Sequence, residues 1–256
     1  MMTWIDHLKE LRNRLLKASL AVVLGLVAGL LLVYYNDYAL IKYVLLRLQP
    51  VIPLVTDNQG YTIQVQTFRP TEFFTTTMKM GLGIGVALAM PVIIYQLLAY
   101  VVPGLTARER RMIFLMLPFI IGLFLIGLTF GWYVTVPAAF HFLLNLGSDV
   151  VDVRPSFEYV MSLLTRLMLV NGILFELPLV VYSLIWLGVI ERRTLAKYRR
   201  YSILVITIVA AVITPTGDPL NLALVAIPMY LLYELGLLLA LLAPRRKTAI
   251  AKPTND

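Results

Sequence analysis

The chain has 256 residues, of which 60% are hydrophobic and only 14% charged. That is more apolar surface than one soluble core can hide, so the protein takes lipid as its solvent. The formal charge of +8 would suit nucleic acid, but the Lys and Arg residues fall in short clusters between apolar runs, the pattern of a membrane topology signal. Zero cysteines exclude disulfides, thiolate metal sites and cysteine nucleophiles, and two histidines, His7 and His141, without HExxH spacing leave little for zinc.

The first apolar run begins after Lys17 and stops at Asn36-Asp37 with no A-x-A site. It is long for the h-region of a secretory signal, so a retained span is expected. A membrane helix needs roughly 20 apolar residues to cross about 30 Å of hydrocarbon. On that measure six spans are expected, at about 18–38, 73–101, 112–142, 159–187, 201–214 and 220–242. They form one all-α polytopic membrane domain with a flexible tail over 243–256. Pro91, Pro118, Pro137, Pro178 and Pro228 predict bends or breaks where the ring removes a backbone bond.

The connection 39–70 is long, holds Pro50, Pro53 and Gly60, and ends in alternating residues over 61–66. An external cap with a short helix or extended piece is expected there. The fifth span, 201–214, is short, about 21 Å at 1.5 Å per residue. A fifth-sixth hairpin of that length thins the bilayer or stops inside it unless Arg199 and Arg200 snorkel or the helix extends into Pro215.

Basic residues set the orientation. Lys9, Arg12, Arg14 and Lys17, then Arg108, Arg110 and Arg111, then Arg192, Arg193, Lys197, Arg199 and Arg200, and finally Arg245, Arg246, Lys247 and Lys252 put sixteen on one side. The other side has Lys42, Arg47, Arg69 and Arg154. Both termini are therefore expected in the cytoplasm.

Ionisable groups within spans are costly, which makes each a functional candidate with a structural alternative. Glu176 is the strongest, because it lies in the apolar segment 171–187 just before Pro178, whose ring frees a carbonyl nearby. Its carboxyl should face protein or a water-filled hollow. Arg166, ten residues earlier and about 15 Å away along a helix, does not pair with it. It should snorkel or meet a carboxylate in the cap. Lys79 reads as an interfacial anchor and Glu234 as a boundary position near the end of the last span. Glu10 and Glu109 stand among cytoplasmic Arg residues. Each could simply neutralise a neighbour, or the two could together receive guanidinium groups, which dock on carboxylates through paired hydrogen bonds.

Seven strings then carry a resemblance. They are HLKELRNRL at 7–15, PTEFF at 70–74, MPVIIYQ at 90–96 followed by PGLTARERR at 103–111, FELP at 175–178, RRY at 199–201, TPTGDP at 214–219 and AIPMYLLYE at 226–234. Together, in this order and in register with six spans, they resemble the signatures of the TatC family. The resemblance implies recognition of twin-arginine signal peptides and export of folded proteins driven by the proton-motive force. It places Glu10 and Glu109 against the signal's arginine pair, with Arg12, Arg14, Gln96, Tyr100 and Arg111 shaping the same surface. It makes Glu176 the family's intramembrane glutamate, in contact with single-span TatA- and TatB-type partners, with Thr214, Asp218 and the stretch from Tyr230 to Glu234 in the partner-docking region. Leu222 stands where the family often has glutamine, and Gly217 interrupts the TPxD motif. Other copies of the chain and membrane lipid complete the expected partners, with no nucleic acid and no cofactor. The cytoplasmic (inner) membrane is the expected location, a thylakoid-type membrane the alternative.

A proton-coupled secondary transporter with Glu176 as its proton site is the rival class. No inverted repeat relates the halves, which counts against it. An intramembrane enzyme has no support, since there is no GxSxG, no HExxH and no Ser-His or paired-Asp arrangement within spans.

Overall fold

Lipid offers no partner to a bare backbone amide, so a chain of this composition folds as helices. The structure, a computed structural model, is nearly all helical over the residues it describes, which are 4–48, 65–101, 107–145, 155–186, 188, 190, 192–213 and 219–241. In order these are α1 Trp4–Tyr34, α2 Ala39–Leu48, α3 Glu72–Val101, α4 Ala107–Phe130, a π turn Gly131–Thr135, α5 Val136–Asn145, α6 Phe157–Leu174, α7 Leu177–Trp186, α8 Arg192–Lys197, α9 Arg199–Ile213 and α10 Pro219–Leu239. Four stretches are long and apolar enough to cross a membrane: Leu8–Tyr34, Glu72–Tyr100, Met116–Leu144 and Phe157–Trp186. Val225–Leu239 is a shorter apolar helix. The tail 243–256 and most of the 39–70 connection beyond α2 lie outside the described residues.

The N-terminal basic stretch and the first apolar run form one unbroken helix, which ends at Tyr34, four positions before the expected limit. The chain turns there through Asn36, Asp37 and Tyr38, with φ of 50°, 52° and 61°. Asn and Asp tolerate that left-handed region. Tyr38 is held in it with its ring edge-on to Phe73, centroids 5.2 Å apart.

The five prolines divide into two groups. Pro91, Pro118 and Pro228 stay inside continuous helices. Pro137 follows the π turn, and Pro178 follows a break at Phe175–Glu176, both being places where a missing N–H leaves a carbonyl without its helical donor.

Helices in lipid are not driven together by the hydrophobic effect, so their surfaces must fit closely. The tightest pair is α1 against α3, running antiparallel through Gly25 and Gly29 on one side and Gly81 and Gly85 on the other. A Cβ on Gly29 would collide with the Gly81 carbonyl, and one on Gly85 would lie 2.5 Å from Leu26 Cα. Gly127 and Gly172 do the same for α4 and α6, with the Phe124 ring lying over Gly172.

At the Glu72 end of α3, buried polar groups tie the elements. Glu72 is 6% exposed, and its carboxylate accepts from the backbone N–H of Phe68 at 2.7 Å and of Glu158 at 3.0 Å. It thereby satisfies an orphan donor in the first turn of α6, whose N-cap is Ser156. Gln66 pairs with Ser156 in an isolated parallel bridge, and Lys79 meets Glu158 at 2.6 Å. The main apolar core lies beside this end, where α2 packs through Ile41, Val44 and Leu48 against Val136, Phe140, Met161 and Leu164.

Gly29→Leu or Gly85→Leu is expected to lower stability by at least the usual overpacking cost of about 1–3 kcal/mol. Gly122→Leu, where nothing lies within 4 Å of the added Cβ, should leave it unchanged. Thermal unfolding of the detergent-purified variants checks both.

Candidate functional site

The glycine contact sets the register that places the N-terminal half of α1 alongside the last turns of α3. There Arg14 donates through Nε at 2.9 Å and Nη2 at 2.6 Å to one oxygen, Oε1, of Glu10. The pair is four residues apart on α1, the spacing that lets helix side chains meet. Arg14 Nη1 also approaches Gln96 Oε1 on α3, a long contact at 3.5 Å. The second Glu10 oxygen, Oε2, is buried and has no hydrogen-bond partner among the described residues. Three of the residues singled out in the sequence, Glu10, Arg14 and Gln96, thus form one cluster. Arg12 is exposed on the same helix, and Tyr100 is half-buried in the last turns of α3.

Glu109 and Arg111 lie in the first turns of α4, which starts six positions after α3 ends. A carboxylate there is favoured by the positive end of the helix. Their side chains are outside those described.

Glu176 lies at the break between α6 and α7, where its carbonyl accepts from Leu179 N at 3.1 Å and Val180 N at 3.0 Å, opening α7. Its side chain is 1% exposed, and neither carboxyl oxygen has a hydrogen-bond partner among the described residues. α10 packs close beside it, since a Cβ on Gly236 would come within 3.0 Å of the Pro178 backbone. An unpartnered carboxyl in such a place is costly. The neighbouring Asn171 makes the contrast, because its amide donates to Leu167 O at 2.8 Å and its Oδ1 accepts from Thr135 Oγ1 at 3.2 Å.

The remaining candidates separate from these. Glu234 on α10 accepts from Arg199 at 2.9 Å and from Tyr230 OH at 2.8 Å, and Tyr233 OH donates to Leu195 O at 3.0 Å, so α8, α9 and α10 are joined there. Thr214 and Asp218 lie outside the described residues. Lys79 is occupied by Glu158. Arg166 is exposed on α6 and in no ion pair among the described residues, so of its two expectations the meeting with a cap carboxylate is not seen there.

The Asn171–Thr135 pair and Glu72 were not singled out from the sequence, although a carboxyl just before a long apolar helix is a legible sign of a cap. An apolar groove of about 590 Å³ was also missed. It is lined by α2, α3, the second half of α4 with Trp132, and α6, and no local string encodes a space between four helices.

Comparison with known proteins bears on what these elements do. The model of the family Sec-independent protein translocase protein (TatC) matches residues 6–228. The chain is 34% identical to the Sec-independent protein translocase protein TatC of Carboxydothermus hydrogenoformans, over 93% of each chain. It is 34% identical to that of Aquifex aeolicus over 96% of this chain and 98% of the other. A crystal structure of the twin-arginine translocase receptor TatC superposes with a TM-score of 0.74 at 32% identity, covering 91% of this chain and 99% of that one.

Glu176→Leu is expected to unfold at the same or a higher temperature, since it removes a buried polar group without a partner, a cost of about 1–3 kcal/mol. A lowered midpoint in detergent would mean that the carboxyl is bonded after all.

Proposed function

The chain belongs to the TatC family of Sec-independent protein translocase proteins, and we propose that it acts as the receptor that binds twin-arginine signal peptides of folded cargo. The observation that carries this reading is the Glu10 cluster. Its carboxylate already holds a guanidinium through two N–H bonds, while its second oxygen has no partner among the described residues. A site that receives one arginine fork is chemically fit for another. Glu109, close behind α3 in the chain, supplies the second carboxylate, with Arg12, Gln96, Tyr100 and Arg111 around them.

The work is binding and needs no catalysis. Arginine's planar fork fits a carboxylate through parallel hydrogen bonds, whereas lysine is a point charge that fits less well. Once the arginines dock, the signal's apolar part moves toward Glu176. TatA- and TatB-type single-span partners meet the protein near Glu176 and along α9 and α10, in the region of Thr214, Asp218 and Glu234, and further copies of the chain complete the receptor. The proton-motive force drives export. The protein crosses the cytoplasmic membrane six times with both termini inside, α9 and α10 forming the last hairpin. The clustering of basic residues supports that orientation, and the 15 residues of α9, about 22 Å, support a locally thinned bilayer.

Glu109→Gln and Glu10→Gln are each expected to weaken binding of an arginine-pair signal peptide by about tenfold or more, as for loss of a charged hydrogen bond, and to weaken a lysine-pair variant less. Binding to the purified protein checks this, and equal losses for both peptides would refute it. Photocrosslinking from position 109 should capture the arginine-pair signal and not the variant without it.

A further inference from the structure

The groove between α2, α3, α4 and α6 has a chemistry of its own. Along α3 its lining runs from Met80 to Val92, about 18 Å at 1.5 Å per residue. That is close to the depth of one leaflet, half of a hydrocarbon core about 30 Å thick. Its walls are apolar side chains such as Ile84, Leu88, Leu125 and Leu164. Its volume of about 590 Å³ falls within the range of sites that hold a discrete ligand, about 300–1,000 Å³. An extended aliphatic chain matches that shape.

One end of the groove is bordered by α2. Leu40, Tyr43 and Val44 of α2 line it, and Arg47 follows on the same helix face, one turn beyond Tyr43. Tyr43 stacks on Trp132, rings 9° from parallel and centroids 6.4 Å apart. Arg47 lies near the Tyr43 and Tyr133 hydroxyls. It is exposed, and no carboxylate among the described residues pairs with it. This end lies beside the Glu72 end of α3, since Val44 and Met80 share one core cluster. Aromatic rings and a solvent-facing cation at the mouth of an apolar slot are what a headgroup region presents.

We propose that this groove binds an anionic phospholipid of the leaflet at the Glu72 end, one acyl chain lying between α3 and α4 and its phosphate on Arg47 and the Tyr43 hydroxyl. The exposed guanidinium supplies the charge complementarity, and the leaflet-length slot supplies the fit. A protein helix would need a cylinder about 10 Å wide and gives no reason for a cation at the mouth. The site does not depend on the signal-binding reading, and either can fail alone.

Trp132 lines the groove and can report on it. With Trp4→Phe and Trp186→Phe in place, it is the one tryptophan left of three. That protein is reconstituted in phosphatidylcholine vesicles containing a small fraction of lipid brominated on the acyl chain, as either phosphatidylglycerol or phosphatidylcholine. Brominated phosphatidylglycerol should quench Trp132 with an apparent affinity about five-fold higher, the effect of one basic side chain on an anionic lipid. Arg47→Ala should abolish the difference, Arg47→Lys should keep most of it, and Ala87→Phe, which fills the slot, should reduce quenching by both lipids. Millimolar inorganic phosphate should not compete. Equal quenching by the two headgroups would overturn the proposal. So would a preference that survives Arg47→Ala, indifference to Ala87→Phe, or competition by free phosphate.

Discussion

The backbone approach of α1 and α3 is the constraint on which the rest of the molecule depends. Lipid tails are as apolar as leucine, so two apolar helices gain little by simply meeting. They gain when their surfaces come closer than side chains ordinarily allow. Gly25, Gly29, Gly81 and Gly85 remove the atoms that would keep the backbones apart, and dispersion contacts and weak backbone interactions replace them. The consequence reaches beyond stability. Glycine spacing fixes the axial register, and that register sets Arg14 and Glu10 beside Gln96. A slip by one turn would move those groups by about 5 Å.

With the helices held this closely, the polar groups fall into two kinds. Glu72, Asn171, Thr135 and the half-buried Glu234 are each satisfied by partners on other elements, which makes them ties between elements. Glu10 Oε2, Thr76 Oγ1 and both oxygens of Glu176 have no hydrogen-bond partner among the described residues. A buried acceptor without a donor costs about 1–3 kcal/mol, and a protein of limited stability keeps such groups where function needs them. Glu10 and Glu176 are two of the three acids on which the proposed signal pathway rests, Glu109 being the third.

Much of this was legible in the sequence and some was not. Apolar run length found the four stretches long enough to cross a membrane, because the thickness of the bilayer imposes that length directly. Pro178 announced the break at Glu176, since a missing N–H acts locally. The glycine contact was equally readable as two small-xxx-small repeats but stands out only when α1 and α3 are known to face each other. The turn at Asn36–Tyr38 was harder. Tyr38 has no intrinsic preference for positive φ and is held there by Phe73, a residue far along the chain. The Asn171–Thr135 bond joins two elements and the groove beside Arg47 lies between four helices, and such tertiary facts leave no periodic mark.

α3 also serves as a ruler for the candidate site. Glu72 and Gln96 are separated by about 36 Å along it, a little more than the hydrocarbon thickness of about 30 Å. Leu179, one turn after Glu176, shares a core cluster with Ile94 and Leu98, on either side of Gln96. Glu176 therefore lies toward the Gln96 end of the bundle and not at its centre. A ligand with its charge on Glu10 would reach the level of Glu176 within a few turns. The groove along Met80 to Val92 occupies the middle of α3. Recognition of charge and accommodation of an aliphatic chain are thus stacked along one helix, and the helix that aligns them is the one gripped by the glycines of α1.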